Sequence, residues 1–359
     1  MASTELKPIV SPAAWHGPDM AARKGEWTQT LSDTEVGELY DLARSLRARK
    51  DDLLAISRAD VPLRTLGERL ADLRTELLRG RGFALLRGMP VDDHTLEENA
   101  WAYWAIGLHL GEAVPQNGKN HMLGHVTDLG FDYTKPDVRG YQTSERLPYH
   151  TDYSDIVGLL CIRAAKRGGL SSIVSSVAIY NEMVDRQPEL ASALTQPIAR
   201  TRWGEVPAGQ KPWASTPIFM PTDGGVVTTY VRSAVRKGQS LDGVPPVTEA
   251  QEAAFDAIDA LAADPAFHLD MDFAPGDMQF LNNHVILHSR TTYEDHAERE
   301  KRRHLLRLWL ACEDGPPLPK ALIDDAFQGG TIHGRPNGIS VPGVAPIATL
   351  DPLAELRIT

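Results

Sequence analysis

The sequence predicts a mainly β protein with flanking helices, in which a closed sheet or jelly roll forms the core. Two observations lead to this fold class. From about Tyr141 onward, short strand-like runs alternate with Gly and Pro turns, which is typical of sandwiches and barrels rather than of alternating strands and helices. Helical periodicity is concentrated in the part of the chain before these runs. We therefore expect helices that pack on a sheet core.

Residues 1–80 are predicted to form a leader and helices that pack on the core. Pro and Gly interrupt the beginning of this region, so we expect no regular structure there. Ser32 and Glu35 have the spacing of a capping box, which predicts that the first helix begins at this point. Leucines at helical spacing predict a second helix that ends at Gly80.

Residues 81–315 are predicted to form the main domain. Its expected strands are the short apolar runs at 83–88, 157–162, 173–176, 226–231, 278–287 and 305–310. Helices are expected at 96–110 and 248–263, and the second is the one clear helix that the sequence predicts in the C-terminal half. Residues 316–359 include a Gly- and Pro-rich stretch, so we expect an irregular C-terminal segment.

Composition narrows the classes of partner. A chain of 359 residues with 42% apolar residues can bury a large core, and a formal net charge of −11 disfavours nucleic acid and anionic membranes. Small molecules are the expected partners, and a homo-oligomer stays open. The N-terminus lacks a signal-peptide pattern, and no apolar run is long enough to span a bilayer. The only two cysteines, Cys161 and Cys312, have no zinc or disulfide spacing, so we expect a cytoplasmic protein.

The clearest chemical motif is His150-Thr151-Asp152, at the end of a predicted strand. Side chains two residues apart on a strand point to the same side, so this imidazole and this carboxylate can face one point. Such triplets are common by chance, and a metal site needs a third ligand, for which His288 is the best candidate. Two histidines and one carboxylate on one face of a metal are typical of iron(II) oxygenases, which must bind a co-substrate and dioxygen together.

The predicted strand after His288 carries two arginines, Arg303 and Arg307. They share one face of the strand and lie roughly 13 Å apart along it, from a rise of ~3.3 Å per residue, so each is expected to serve a different end of a pocket. A buried guanidinium without an anionic partner is costly, which indicates a carboxylate ligand. An exposed strand with snorkelling arginines remains the alternative at this point.

Four motifs in order resemble the taurine dioxygenase superfamily, which includes 2,4-dichlorophenoxyacetate dioxygenase and, more distantly, clavaminate synthase. The resemblance covers about residues 82–310. Its motifs are Gly82-Phe83-Ala84-Leu85-Leu86-Arg87-Gly88-Met89-Pro90, then Tyr149 to Asp152, then Gly168-Gly169-Leu170-Ser171-Ser172, and finally Gly276-Asp277 through His288 to Arg307.

This resemblance implies a double-stranded β-helix core and a site that uses Fe(II), 2-oxoglutarate and O2. It also implies that the distal carboxylate of 2-oxoglutarate pairs with Arg303, helped by the hydroxyl of Ser171, which stands where threonine is common. Arg307 would lie near the same pocket and contact the co-substrate or an acidic group of the substrate. The iron would be held by the catalytic residues His150, Asp152 and His288.

The implied activity is that of a 2-oxoglutarate-dependent non-haem iron dioxygenase. Such an enzyme removes a hydrogen atom from a small organic substrate, acidic or neutral, and releases succinate and CO2. Hydroxylation, desaturation and ring formation begin with the same step, so the outcome and the substrate stay open. Tyr149 and Tyr153, beside the proposed ligands, and Arg232, in the long insert between the metal motifs, are further candidates for substrate contact.

Two alternatives from other classes remain. The first is a cupin-like metal-dependent oxygenase without 2-oxoglutarate, which the paired arginines disfavour. The second is a non-catalytic jelly-roll binding protein, which the intact ligand set disfavours. His121 and His125 form a weaker metal-binding candidate, because Gly124 interrupts the helix that their spacing would require.

Overall fold

The computed structural model describes residues 6–50, 52–133, 135, 138–206, 209–324 and 331–354. The helices within these ranges are α1 Gly17–Ala22, α2 Lys24–Trp27, α3 Asp33–Arg47, α4 Leu66–Arg79, α5 Leu96–Leu110, α6 Ser176–Arg186, α7 Pro188–Ala193, α8 Arg232–Gly238, α9 Glu249–Ala263 and α10 Lys320–Asp324. In this part of the chain, no helix is long and apolar enough to cross a membrane.

The strands are short, and most of them lie after α5. They are β1 Thr28–Thr30, β2 Phe83–Arg87, β3 Glu112–Ala113, β4 Gly124–Val126, β5 Leu147–His150, β6 Ile156–Arg163, β7 Arg167–Gly168, β8 Ser171–Ser175, β9 Ile198–Thr201, β10 Trp213–Thr216, β11 Phe219–Thr222, β12 Gly225–Thr228, β13 His268–Met271, β14 Met278–Asn282, β15 Ile286–Arg290, β16 Tyr293–Glu294, β17 His304–Ala311, β18 Thr331–Ile332 and β19 Arg335–Pro336.

Two sheets form the core. The larger has the strand order β1-β2-β14-β6-β17-β3, with β4 also paired to β17, and the smaller has the order β13-β8-β15-β5. Pairing is antiparallel except between β1 and β2. Strands that are distant in sequence are neighbours in both sheets, as in a jelly roll. The predicted double-stranded β-helix with flanking helices is confirmed.

Helices cover the outer face of each sheet. α3, α4 and α5 pack on the larger sheet, where Leu70 and Leu308 belong to one apolar cluster. Gly107 of α5 permits a close approach, because a Cβ there would lie 2.6 Å from a methyl carbon of Leu308. α6, α7 and α9 cover the smaller sheet, where Phe255 and Leu287 share a second cluster. Both sheets therefore turn their other faces toward each other and enclose an interior.

Alternation along β17 decides which side chains enter that interior. Leu306 and Leu308 pack against the helices. Leu305 and Trp309 belong to clusters on the opposite side of the strand, and Arg307 lies there with them. This is the period-2 arrangement that the sequence predicts for a strand with two different faces.

The helices predicted in the N-terminal part are confirmed as α3, α4 and α5, and the later one as α9. The expectation of no regular structure at the beginning of the chain is wrong, because α1, α2 and β1 lie there. Ser32 accepts a hydrogen bond from the backbone of Glu35 and its own backbone donates to the Glu35 carboxylate, which is the predicted capping box. The prediction of only one clear helix in the C-terminal half is wrong, because α6, α7, α8 and α10 also lie there.

α6 shows why that prediction failed. The helix begins directly after β8, and its apolar residues include β-branched ones that favour strands in isolation. Its start is fixed by Ser175, whose hydroxyl accepts from the backbone of Ala178. Burial against the smaller sheet then outweighs the local preference.

One predicted strand also differs from the structure. The run at 278–287 is two strands, β14 and β15, which belong to different sheets.

A buried carboxylate joins the C-terminal segment to the core. One oxygen of Asp155 accepts from His284 Nε2 and from Arg335 Nη2, each at 2.6 Å. The other accepts from Arg335 Nε at 2.9 Å and from the backbone of Cys312 at 2.7 Å. Burial opposes ionisation, but hydrogen bonds and charge from His284 and Arg335 outweigh it and lower the pKa of Asp155 to about 2. The segment that carries Arg335 is thus fixed by charge as well as by packing.

We predict that Asp155→Asn lowers the free energy of unfolding by about 3–5 kcal/mol, because it leaves the buried Arg335 guanidinium without a counter-charge. Urea unfolding at pH 7 measures the difference. Asp314→Asn is the matched control, since Asp314 is half exposed where it pairs with Arg74, and its loss should stay below about 1 kcal/mol. Equal losses for the two variants would contradict the prediction.

The same carboxylate gives this difference a pH dependence. The pKa of Asp155 is lower in the folded state than the value of about 3.9 expected for an unfolded aspartate. Its contribution to stability is therefore complete above pH ~4 and is lost as the pH falls toward about 2. The difference between wild type and Asp155→Asn should shrink over that interval.

Candidate active site

The three predicted metal ligands converge at one end of the smaller sheet. His150 ends β5 and His288 lies in β15, and the two residues are directly opposite each other in this strand pair. Asp152 follows β5 by two residues. The Nε2 atoms of both histidines lie 3.8 Å from an oxygen of Asp152, and one ligand atom from each of the three side chains lies within 4.8 Å of the others. Within the described ranges, this is the one such group that could hold a metal.

Neighbouring groups orient two of the three ligands. His150 Nδ1 donates to the carbonyl of Pro148 at 2.9 Å, which turns Nε2 toward the other two ligands. The backbone of Asp152 donates to the Asn283 side chain, and one Asp152 oxygen accepts from Trp309 Nε1 at 2.8 Å. His288 Nδ1 is buried and has no hydrogen-bond partner in the described part of the chain, so strand pairing rather than a second hydrogen bond positions this ring.

The three side chains are in protonation states that allow them to bind a cation. Burial lowers the pKa of His150 and, together with the nearby His150 ring, lowers the pKa of His288 to about 3. Burial works against ionisation of Asp152, but the charge of Arg307, the neighbouring imidazoles and a hydrogen bond from Trp309 prevail and lower its pKa. Two neutral imidazoles and one carboxylate are a donor set that fits Fe(II) with positions left for other ligands.

Arg307 lies beside these ligands and lines an open cleft. Its Nε donates to Gln116 at 2.7 Å, and its Nη1 lies 3.6 Å from Asp152. Its guanidinium also lies 4.6 Å from the ring centre of Tyr141 and 4.9 Å from that of Trp309. The arginine is thus held in one orientation with its charge next to the metal ligands.

Arg303 lies elsewhere in the interior. It precedes β17 and lines a second cavity, together with Gly169 and Leu170. A Cβ at Gly169 would lie 3.2 Å from Arg303 Nε, so glycine leaves room for the guanidinium. Arg303 is buried, and its Nη1 has no hydrogen-bond partner among the residues that the structure describes. A buried, incompletely satisfied guanidinium fits an anionic ligand such as a carboxylate.

Ser171 begins β8 and is buried next to the same interior. Its hydroxyl donates to the Gln279 side chain at 3.3 Å, a long hydrogen bond that a better acceptor could replace. Arg307 and Arg303 line different cavities. That the two arginines serve different ends of one pocket stays a prediction.

The three candidate substrate contacts have different surroundings. Tyr153 lines the cleft and packs edge-on against Trp309, with ring centres 6.3 Å apart. Tyr149 is adjacent to His150, so its side chain points to the opposite face of β5, where its hydroxyl bonds with Ser172 at 2.6 Å. The ring of Tyr149 packs in the apolar cluster beneath the helices, and the hydroxyl is directed away from the metal ligands.

Arg232 lines the cleft, but its guanidinium group binds carboxylates of α9. Its two terminal nitrogens donate to Asp259 and Asp256 of α9, each at 2.6 Å. These carboxylates neutralise the guanidinium, and the ion pairs fix the start of α8 against α9. Contact between Arg232 and the substrate stays a prediction.

The other histidines that the sequence analysis considered do not form a metal pair. His121 lies 3.2 Å from the Asn117 side chain through Nδ1. His125 shares a hydrogen bond of 2.8 Å with His304 and contacts the carbonyl of Thr349. Both histidines contact other residues of the fold, as expected for the weaker of the two metal-binding candidates.

Sequence reasoning missed several residues of the site. Trp309 shares the inner face of β17 with Arg307, so alternation could have identified it. Gln116, Arg139 and Trp203 lie in stretches with little regular structure, and no local pattern marks them. Only the folded chain brings these residues to the ligands or to the cleft.

Comparisons with known proteins agree with this geometry. The family model described as "Taurine catabolism dioxygenase TauD, TfdA family" matches residues 45–309. FR-33289 synthase of Streptomyces rubellomurinus is 32% identical over 320 residues, which cover 88% of this chain and 94% of that protein. A uridine-5'-phosphate dioxygenase of an Amycolatopsis species is 30% identical over 223 residues, which cover 58% of this chain and 78% of the relative.

Among solved structures, an asparagine oxygenase in complex with Fe(II), 3-hydroxyasparagine and succinate superposes with a TM-score of 0.62. The superposition covers 79% of this chain and 93% of the other, and at 18% identity it supports the shared fold alone. The family match favours a 2-oxoglutarate-dependent enzyme over both alternatives, the cupin-like oxygenase and the non-catalytic jelly roll. The chain belongs to the TauD, TfdA family and is a non-haem iron dioxygenase that uses Fe(II), 2-oxoglutarate and O2.

Proposed function

We propose that this dioxygenase oxidises a small anionic molecule at an iron held by His150, Asp152 and His288. The observation that carries the proposal is the convergence of these three side chains within 4.8 Å, with buried arginines in the cavities on either side. When bound, iron and 2-oxoglutarate supply the dioxygen activation that removes a hydrogen atom from the substrate, with succinate and CO2 as products. The task of the protein is to hold the reactants in place and exclude water.

The two arginines would divide the remaining binding work. Arg303 would pair with the distal carboxylate of 2-oxoglutarate, and Ser171 would donate its hydroxyl to the same group. Burial makes this ion pair strong, since little water competes for either charge. Arg307, beside Asp152 in the cleft, would face the substrate end.

An anionic substrate is supported by the charges of the cleft. The charged residues that line it are Arg139, Arg232, Arg307 and Asp152. Glu205 pairs with Arg139, and Asp256 and Asp259 pair with Arg232. Arg307, beside the proposed metal ligand Asp152, is therefore the cation best placed to face a substrate anion. The name of the uridine-5'-phosphate dioxygenase also indicates a negatively charged substrate for that relative.

Aromatic rings complete the cleft. Tyr133, Tyr141, Trp203 and Trp309 line it, and Arg139 lies 5.8 Å from the ring centre of Trp203. Trp203 adopts a positive φ of 57°, which is uncommon for a large side chain and costs free energy. Glu205 binds the guanidinium of Arg139, so cation and ring form a fixed wall at the edge of the cleft. Such a wall suits an anion attached to an apolar or planar group.

We predict that His150→Ala and His288→Ala each abolish turnover and remove most of the bound iron, because two ligands cannot hold Fe(II) in a three-ligand site. Metal content after anaerobic loading and succinate release measure the two effects. His333→Ala is the control, since His333 is exposed, and it should keep both iron and activity. Iron content near that of wild type in either ligand variant would rule out this site.

We predict that substitutions of Arg303 and Arg307 weaken the binding of different ligands. Arg303→Leu should weaken the binding of 2-oxoglutarate by about 2–5 kcal/mol, which is roughly one and a half to three and a half decades in the dissociation constant at about 1.4 kcal/mol per decade. Arg307→Leu should chiefly weaken the substrate and leave substrate-independent decay of 2-oxoglutarate largely intact. Anaerobic titration of the Fe(II) protein with 2-oxoglutarate distinguishes them. The opposite pattern would reverse the assignment.

Substrate charge can be tested with pairs of compounds, in which one member carries a free acidic group and the other carries the neutral ester of that group. We predict that succinate release above the background occurs with the anionic members. Arg139→Gln should lower kcat/KM for an accepted anion by roughly threefold to tenfold, because this charge lies at the rim of the cleft. The control is Arg236→Gln, an exposed arginine of α8. Preference for the neutral esters would overturn the proposed substrate class.

A further inference from the structure

A second buried arginine lies near Arg303. Arg290 ends β15, two residues after His288, and is 5% exposed. Its Nη2 donates to the carbonyls of Thr143, at 2.9 Å, and Glu145. Its Nε and Nη1 are buried and find no hydrogen-bond partner anywhere in the described part of the chain. The guanidinium is therefore anchored on one side and unsatisfied on the other.

Strand geometry places Arg290 at the expected co-substrate pocket. In the antiparallel pair β15 and β8, Arg290 is directly opposite Ser171, so both side chains lie on the same face of the sheet. His288 is two residues earlier on β15 and shares that face, which is the interior. Arg290 is thus directed toward the space between the metal ligands and the hydroxyl expected to bind the distal carboxylate.

Tyr293 brings the two arginines together. The guanidinium carbon of Arg290 lies 4.7 Å from the ring centre of Tyr293, and that of Arg303 lies 5.2 Å from it. The two guanidinium groups are therefore within about 10 Å of each other. Two cations at this distance repel each other inside a protein unless an anion lies between or beside them.

Within the ranges that the structure covers, neither Arg290 nor Arg303 forms an ion pair with an aspartate or glutamate. Asp128 is an acid near Arg290, and Asp295 is an acid near Arg303. Asp295 Oδ1 accepts from the backbone N–H of Arg303 at 2.8 Å, and its Oδ2 has no hydrogen-bond partner in the described chain, so neither oxygen binds a guanidinium. Since buried guanidinium groups are costly without a partner, the arrangement indicates a ligand with two carboxylate oxygens to share.

We propose that Arg290 is a further binding residue for the distal carboxylate of 2-oxoglutarate, which it shares with Arg303 and Ser171. The inference rests on the proposed function, because it assumes that the co-substrate extends from the metal into this pocket. Arg290 would then make the enzyme selective for 2-oxo acids that carry a second carboxylate. It would also couple co-substrate binding to the loop at Thr143 and Glu145, which the same guanidinium holds.

The test compares two ligands that differ at one end. 2-Oxoglutarate carries the distal carboxylate, whereas 2-oxopentanoate has the same 2-oxo acid group and chain length without it. Both are titrated into the full-length protein loaded with Mn(II), and heat of binding is measured without turnover. Arg290→Leu should weaken 2-oxoglutarate by about tenfold to a hundredfold, the range for a charge-assisted hydrogen bond, and leave 2-oxopentanoate unchanged.

Arg290→Lys provides a second variant if the leucine variant does not fold. A lysine keeps the charge but cannot hold the loop carbonyls and a carboxylate together, so 2-oxoglutarate should weaken by about threefold to tenfold while 2-oxopentanoate stays unchanged. Arg236→Lys, at the exposed end of α8, is the matched control and should bind both ligands as wild type does.

Two results would overturn the role of Arg290. One is unchanged 2-oxoglutarate affinity in a folded Arg290 variant, and the other is an equal loss for both ligands, which would indicate an effect on the metal end or on the fold. Failure of the proposed function gives a different pattern. In that case, wild type would not bind 2-oxoglutarate, or Arg303→Leu would bind it as tightly as wild type does.

Discussion

Ionised side chains inside an apolar fold need partners of opposite charge, and the interior of this jelly roll meets that need for its carboxylates. Asp155 is satisfied by Arg335 and its neighbours, and Asp152 lies beside Arg307 and accepts from Trp309. Arg290 and Arg303, which we propose to bind the co-substrate, form no ion pair with a carboxylate in the described chain. An interior with excess positive charge, in a protein with a strongly negative total, is suited to bind anions that arrive from outside.

Layered packing makes these charges effective. Helices α3 to α5 cover one sheet and α6, α7 and α9 cover the other, so water is kept from both outer faces of the core. The electrostatic interactions inside then act through a medium of low dielectric constant, where each hydrogen bond to a charged group is worth more. The same packing fixes β5 beside β15, and this places His150 opposite His288. The placement of the two histidine ligands opposite each other is thus a consequence of strand register.

Much of the site follows from periodicity in the sequence. Spacing on a strand places His150 and Asp152 on one side, and alternation places Arg307 on the inner face of its strand. The same rule, applied one residue further, would have directed Tyr149 away from the metal, as the structure shows. Arg232 could not be assigned in this way, because its partners Asp256 and Asp259 belong to a helix whose position depends on the whole fold.

The sequence by itself determined the fold class and the N-terminal helices, because these depend on local periodicity. It also predicted residues to hold iron, from their chemistry and spacing, and residues to hold 2-oxoglutarate, from the resemblance of four ordered motifs to one family. Tertiary structure alone decided the helices over the smaller sheet, where burial outweighs weak local preference. It also decided the approach of Arg290 to Ser171 and Tyr293, since strand register joins segments that are far apart in the chain. Local patterns extend over a few residues, whereas register and burial are properties of the folded molecule.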